Sequence, residues 1–369
     1  MNRQKIIPII VMLLIWCVSL ALFTPILGDF VSLISGNKSW KPAVTNHVFL
    51  DNSHFKEIWS STVFIECQNC LAAEENKLYL IGSLSNNSPM YLMALDAATG
   101  ELEWQQQLKN RDAGPLWLTS DRIFVGLAGS QKIGSRSQVW GAAQISTSNK
   151  NSGEELWRER IPGANRIVAL GATEDVVTTI GNRYFNLVAL NVDDGRQITD
   201  SSELVMQFDT EDVLFTYRPQ GVIGAIGRTS GQTLWQQNQL ANSFAFGSDT
   251  LLAKSGDNDI GNITAFNIWD GEILWSRSGV IGNIAAVANT AYFLSFTNPD
   301  VAWGGDSLID IQLLAVDIRT GTVLETLEFE PGGIQSGYGH YKYYVAANEE
   351  NIFVYLGDSR QLFALRFLP

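Results

Sequence analysis

The sequence predicts an all-β protein, a seven-bladed β-propeller of four-stranded antiparallel blades with an N-terminal strand closing the last blade, preceded by one transmembrane helix. Three observations predict it. A strand–turn–strand segment with a glycine at a fixed place recurs along most of the chain. A further pair of short apolar runs precedes each copy, which makes four strands per repeat. The stretch from Ile6 to Leu27 carries no charge.

The uncharged stretch comes first in the chain. IIPIIVMLLIWCVSLALFTPIL is long enough, at ~1.5 Å per helical residue, to span the roughly 30 Å apolar slab of a bilayer. Arg3 and Lys5 precede it, and positive flanks stay in the cytoplasm, so the remainder of the chain is expected outside the cell membrane, periplasmic or extracellular. Residues 1–28 therefore read as a signal-anchor that meets the lipid bilayer through residues 6–27. A cleaved signal peptide wants a shorter apolar core followed by small residues; Ser19 and Ala21 could serve, but the apolar run continues past them. Trp16 stands before Cys17 where a lipoprotein signal needs a small residue. Residues 29–52 show no sustained period and read as a tether, leaving residues 53–369 for the propeller.

Composition narrows the classes. The 369 residues carry 25 Lys and Arg against 38 Asp and Glu, a formal net charge of −13. Residues 1–28 hold Arg3 and Lys5 and no acid, so the rest is more acidic still. Nucleic-acid binding rests on cations that neutralise phosphates, and it is excluded on this balance. Three Cys and three His leave no room for a disulfide scaffold, a tetrathiolate zinc site or a His-rich metal centre. A hydrophobic share of 46% argues against disorder.

The repeat carries the fold. Ala94-Leu95-Asp96-Ala97-Ala98-Thr99-Gly100-Glu101-Leu102-Glu103-Trp104 recurs from Ala265 through Gly271 to Trp275, and from Ala225 through Gly231 to Trp235. Weaker copies run from Ala189 through Gly195 to Thr199 and from Ala315 through Gly321 to Glu325. A sixth, with extra loop residues Ser146–Asn151, ends Gly153-Glu154-Glu155-Leu156-Trp157. Each reads as a hairpin whose glycine supplies a positive φ that other residues resist. The upstream runs, such as Leu116–Leu118 with Ile123–Val125 or Phe244–Phe246 with Leu251–Ala253, supply two more strands joined by a polar turn. Their alignment puts Asn76, Asp121, Glu174, Glu211, Asp249, Asn289 and Glu350 at one turn position. No interval between successive turn glycines can hide a second repeat of ~40 residues. The last copy, ending Gln361–Arg366, lacks its fourth strand, and Phe55–Trp59 is an orphan outer strand at the other end. Pairing the two closes the ring and leaves no blade without its outer strand, which makes seven blades.

Ala94 to Trp104 resembles the repeat of the pyrroloquinoline-quinone (PQQ)-like propellers, and the resemblance extends over roughly residues 53–369. In that family the repeat tryptophan is wedged between neighbouring blades, which implies a blade-docking role for Trp59, Trp104, Trp157, Trp235 and Trp275. Thr199 and Glu325 break the pattern in the third and sixth copies. The quinoprotein enzymes of the family use eight blades, a vicinal cysteine pair and a calcium ion. None of these is legible here, and no catalytic, cofactor-binding or metal-ligating residue is assigned.

Three local motifs were weighed. Cys67-Gln68-Asn69-Cys70 lacks the thioredoxin-like βαβ surroundings of a redox pair and reads as a small disulfide at the entry to blade 1. Asp257-Asn258-Asp259-Ile260-Gly261 lacks the downstream acidic ligand of a calcium loop. His340 has no nucleophile and acid arranged around it. Loop lengths say more. In a four-stranded blade the B–C and D–A connections share one face of the ring, and Ser83–Pro89, Gly129–Gln138, Thr297–Asp310 and Glu330–Tyr341 all fall there. Trp303, Tyr338, His340 and Tyr341 are the aromatic candidates for partner contact on that face. The reading is a membrane-anchored extracytoplasmic propeller that binds or scaffolds another membrane or extracytoplasmic protein, with no cofactor and no catalysis of its own. A quinoprotein-like oxidoreductase and a carbohydrate- or cell-wall-binding propeller are the alternatives.

Overall fold

A computed structural model describes residues 54–368 apart from 66, 68, 84–88, 109–112, 134–136, 182–186, 199–205, 211, 219–220, 257–259, 297–310, 330–342 and 358. The anchor and tether, residues 1–52, lie outside the described residues. Among the described residues every regular element is a strand, and no helix is long and apolar enough to cross a membrane.

The strands follow one another as repeated antiparallel sheets. The first, β1 (Phe55–Thr62), stands apart from its sequence neighbours. Unit 1 is β2 (Leu71–Glu74), β3 (Lys77–Gly82), β4 (Tyr91–Asp96) and β5 (Leu102–Gln107). Unit 2 is β6 (Ala113–Leu118), β7 (Arg122–Leu127), a hairpin of β8 (Ser130–Ile133) and β9 (Ser137–Trp140), then β10 (Ala143–Asn149) and β11 (Glu155–Ile161). Unit 3 has β12 (Ile167–Ala172), β13 (Val176–Gly181) and β14 (Leu187–Asn191), and its fourth position is a single bridge between Leu190 and Gln197. Unit 4 is β15 (Met206–Asp209), β16 (Val213–Arg218), β17 (Val222–Gly227) and β18 (Thr233–Asn238). Unit 5 begins with β19 (Ser243–Gly247), β20 (Thr250–Ser255) and β21 (Gly261–Asn267), and β22 (Ile273–Val287) then serves it and unit 6 alike. Unit 6 continues with β23 (Thr290–Phe296), β24 (Ile311–Asp317) and β25 (Val323–Phe329). Unit 7 is β26 (Tyr343–Ala347), β27 (Ile352–Leu356) and β28 (Gln361–Phe367).

The fourth strand of unit 7 is β1. It runs antiparallel to β28, with Phe55 opposite Phe367 and Thr62 opposite Gln361, as the missing outer strand required. Backbone groups left open on β28 are thereby satisfied by the far end of the chain.

Five units repeat one turn device. In unit 1 the Asp96 carboxylate accepts the N–H groups of Ala98 and Thr99, and Gly100 N–H donates to Asp96 O at 2.8 Å. Asn149, Asn191, Asn267 and Asp317 cap their turns in the same way. Hydrogen bonds from the Thr320 backbone hold the Asp317 carboxyl below the ordinary carboxylate range.

Two expectations are corrected here. Ser146–Asn151 is no inserted loop: β10 continues to Asn149, and Thr147, fully buried, takes the place of the repeat alanine. Its run of small polar residues reads as loop by composition, yet its backbone is paired on both sides, with β7 and β11. The turn alignment also slips by one in two units. The N–H three residues after the repeat alanine donates to a turn carbonyl, and those carbonyls belong to Asn76, Asp121, Asp175, Asp212, Asp249 and Asn289. Asp175 and Asp212 thus replace Glu174 and Glu211, whereas Glu350 keeps its place: Ala364 pairs with Phe353, three residues after Glu350, as Ala94 pairs with Tyr79, three residues after Asn76. Alignment by acidity picked a neighbouring side chain, whereas the residue that matters is the one whose carbonyl enters the strand.

Neighbouring units meet through an indole and a glycine. Trp59 of unit 7 donates from Nε1 to Ala97 O of unit 1 at 3.0 Å, and its ring lies where a Cβ on Gly100 would stand, 2.8 Å away. Trp157 donates to Val192 O of unit 3, Trp235 to Ile268 O of unit 5 and Trp275 to Ile318 O of unit 6, each at 2.8 Å. Trp104 packs on Gly153 in the same way, but its Nε1 has no acceptor. The carbonyl it would use, Lys150 O, receives the Tyr79 hydroxyl at 3.5 Å. Among the described residues nothing lies within 4 Å of a Cβ on Gly231, where the preceding copy supplies Thr199 in place of Trp. At the sixth copy Glu325 instead meets His54 Nδ1 at 2.8 Å, tying unit 6 to the start of β1.

These contacts separate packing from hydrogen bonding. Trp157→Phe and Trp275→Phe each keep the ring over glycine and lose one buried bond, so each is expected to cost about 1 kcal/mol more than Trp104→Phe, whose Nε1 has no bond to lose. Urea unfolding of the three variants measures the difference.

Candidate functional site

The innermost strands converge on an axis, so their side chains must shrink toward it. β19, β22 and β26 accordingly present Ala245, Ala285, Ala286, Ala346 and Ala347 to a central cavity of about 270 Å³. Trp117, Tyr217, Phe244 and Phe246 supply its aromatic wall. Its polar groups are neutral: Asn69, Asn242, Ser243 and Asn283. No Asp, Glu, His, Lys or Arg is among the residues lining it.

One wall depends on a bulge. β22 bends between Ile281 and Ile284, with Gly282 at φ 68° and the Tyr343 carbonyl oxygen 1.9 Å from where a Cβ would sit. Only glycine fits both the left-handed backbone and that approach. The bend aims Asn283 at β26, where its amide donates to Val345 O at 2.9 Å and accepts Val345 N–H at 2.7 Å. A side chain thus completes the main-chain pairing of a strand in the next unit. The Gly-Asn pair inside an apolar run carries this signal in the sequence.

The connection from β1 to β2 lies at the mouth of the cavity. Its described residues touch several units. Ile65 N–H donates to the Tyr355 hydroxyl at 3.1 Å, the Tyr344 hydroxyl donates to Cys67 O, and Leu116 N–H donates to Asn69 O at 2.9 Å. Asn69 also reaches across to Asn242 O of the unit 4–unit 5 connection at 3.5 Å. Cys67 and Cys70 are bonded as a disulfide within this connection. Burial pushes the Tyr344 phenol far above its ordinary range.

Of the residues the sequence proposes for partner contact, Trp303, Tyr338, His340 and Tyr341 lie outside the described residues. Asp257, Asn258 and Asp259 do as well. Gly129–Gln138 is no plain loop, since β8 and β9 pair within it. Sequence reasoning missed the cavity, the Gly282–Asn283 bulge, and Lys150, which is buried between units 1 and 2 and pairs with Glu74 at 2.9 Å. A lysine inside a polar turn gives no sign that the neighbouring unit will cover it.

The donor set also tests the quinone alternative. PQQ is a tricarboxylate, and a site for it needs cationic side chains, with carboxylates for an accompanying calcium ion. The cavity lining supplies neither, and Asn283 is already committed to Val345. Among the described residues no group of three or more His, Cys, Asp or Glu is placed to hold a metal ion. These residues do not fit that group.

Repeated four-stranded sheets, docked by an outer-strand tryptophan on the turn glycine of the next sheet, define a β-propeller of PQQ-like repeats. The family model described as outer membrane protein assembly factor BamB matches residues 90–198 and 219–362, more than half of the chain, and the chain belongs to this family. The unmatched 199–218 follows the bridge that ends unit 3, where Thr199 stands in place of Trp. No curated protein matches the sequence. Among solved structures the chain is similar to a chain of the mitotic checkpoint complex, at 11% identity and a TM-score of 0.57 over 89% of this chain and 100% of that one. The Neurospora crassa Pan2 WD40 domain matches at 7% identity and 0.53, over 89% of this chain and 98% of that one. BamB from Moraxella catarrhalis matches at 14% identity and 0.48, over 85% of this chain and 100% of that one. The first two likenesses are of fold alone.

Asn283→Ala strands both Val345 backbone groups against the cavity wall and is expected to cost about 2–4 kcal/mol. Chemical denaturation checks it, with Ser243→Ala, also on the lining, expected near neutral.

Proposed function

We propose that the chain is a membrane-anchored extracytoplasmic scaffold, its units forming the seven blades of one closed ring and binding another membrane or extracytoplasmic protein. Residues 1–28 anchor it, 29–52 tether it and 53–369 form the propeller. The observation that carries the reading is membership of the BamB family, whose description is that of an outer membrane protein assembly factor. Two further features support it. The cavity lining has no group that titrates near neutral pH and so offers no general acid or base. The tryptophan docks make a rigid frame, and binding function concentrates on loops held by such a frame. Trp303, Tyr338, His340 and Tyr341 are the proposed contacts.

The test is site-specific crosslinking. A photoreactive residue at Trp303 or Tyr338 of the full chain in its native membrane is expected to capture a defined protein, and one at Thr99, exposed on the opposite face, is not. Capture of the same species from all three positions, or of none, overturns the reading. Glycan binding by the purified chain that is lost in Trp303→Ala would favour the carbohydrate alternative instead. Ring closure has its own test. Deleting residues 53–60 removes Trp59 and most of β1, and is expected to lower the melting temperature by about 10 °C, on the order of 7 kcal/mol. A shift of only a few degrees sinks the closed-ring reading.

A further inference from the structure

Exposed apolar side chains are common on any protein, so their number says little, but their placement can decide something. A unit has two faces: one carries the turns from its first to its second strand and from its third to its fourth, the other carries the remaining connections. Nine large apolar side chains are exposed among the described residues. Leu240, in the connection from β18 to β19, lies on the second face. The other eight all lie on the first.

They follow the ring. Leu234 opens β18 in unit 4, Trp269 and Ile273 flank the turn into β22 in unit 5, Val323 and Leu324 open β25 in unit 6, and Leu368 follows β28 in unit 7. Leu156 and Ile198 continue the series in units 2 and 3. Ile273 is 54% exposed and Trp269 47%. The same face holds the ends of the described chain. Phe55 pairs with Phe367, and Leu368 N–H donates to His54 O at 2.9 Å. Residue 53 and all that precedes it therefore leave from this face, next to the unit 7 end of the arc.

From this we infer that the arc from Leu234 to Leu368 rests on the surface of a zwitterionic lipid bilayer, with the face that carries the long loops turned away from it. The inference rests on the anchor reading proposed above, because the anchor is what brings a bilayer to this face. Residues 28–53 can reach roughly 90 Å when extended, so the tether permits contact without imposing it. What favours lipid as the occupant is the form of the surface. The side chains are single pegs spread along a curved rim instead of one groove, and an exposed Trp beside Leu and Ile suits the headgroup boundary. The turns also carry Asp270, Glu272 and Glu325 with Arg319, an excess of acid that an anionic surface would repel.

The full chain, with Cys17→Ser, reconstituted in phosphatidylcholine vesicles provides the test. An environment-sensitive fluorophore is placed on Ile273→Cys, Leu324→Cys or Leu240→Cys, and quenching by bromine-labelled lipid is measured. Quenching at 273 and 324 is expected to exceed that at 240 by about threefold or more, and to fall when phosphatidylglycerol is added. Equal quenching at all three positions, or more at 240, overturns the inference while leaving the anchor in place, provided that the chain floats with the vesicles. A chain that does not float overturns the anchor reading and this inference together. If the fluorophore at 273 is blue-shifted without being quenched, and the shift disappears on dilution to one chain per vesicle, the arc is a contact between copies, and the lipid assignment is overturned.

Discussion

The structure depends on a contact between an indole ring and a backbone that has no side chain. A four-stranded sheet with apolar surfaces on both sides cannot stand alone in water, and it needs a neighbour at a set angle. The turn glycine meets that need twice: its positive φ makes the tight turn, and its missing Cβ leaves a flat place for the ring of the preceding unit. The indole N–H then fixes the depth of the wedge by bonding a carbonyl three residues upstream of that glycine. The exceptions support the rule. Where the sequence offers Thr199, no described residue lies within 4 Å of a Cβ on Gly231, and where it offers Glu325, a histidine from the far end of the chain completes the seam.

Near the axis a different constraint governs. The inner strands approach one another, and their edges have no further strand to pair with. Alanines on β19, β22 and β26 ease the first difficulty, leaving room for Trp117, Phe244 and Phe246 on the cavity wall. At the seam between units 6 and 7 the second is met by a bulge that lets an asparagine stand in for a strand. Among the described residues the lining of the cavity that remains is apolar and neutral.

Much of this was legible in the residues, and the reasons for what was not are specific. Gly100 to Trp104 and its copies announce hairpins because the φ of one glycine and the bulk of one tryptophan are local properties. The pairing of β1 with β28 was legible because an unpaired edge at one end matched an orphan strand at the other. Ser146–Asn149 misled because small polar residues signal loops only when nothing pairs with them, and both neighbouring strands do. Glu174 and Glu211 misled because the repeat is conserved in a backbone carbonyl, which side-chain identity does not report. The candidate contacts Trp303, Tyr338, His340 and Tyr341 remain a reading of loop length and residue type.

By itself the sequence determined the repeat, the all-β class and the acidic balance of the chain, because each follows from short-range spacing or simple composition. Only the tertiary structure decided which carbonyl each indole finds, that Lys150 is covered, that Asn283 completes a neighbouring strand, and that eight exposed apolar side chains share the face from which the chain departs. The physical reason is distance along the chain. Those facts join residues tens to hundreds of positions apart, and they exist only once the ring has brought the units together.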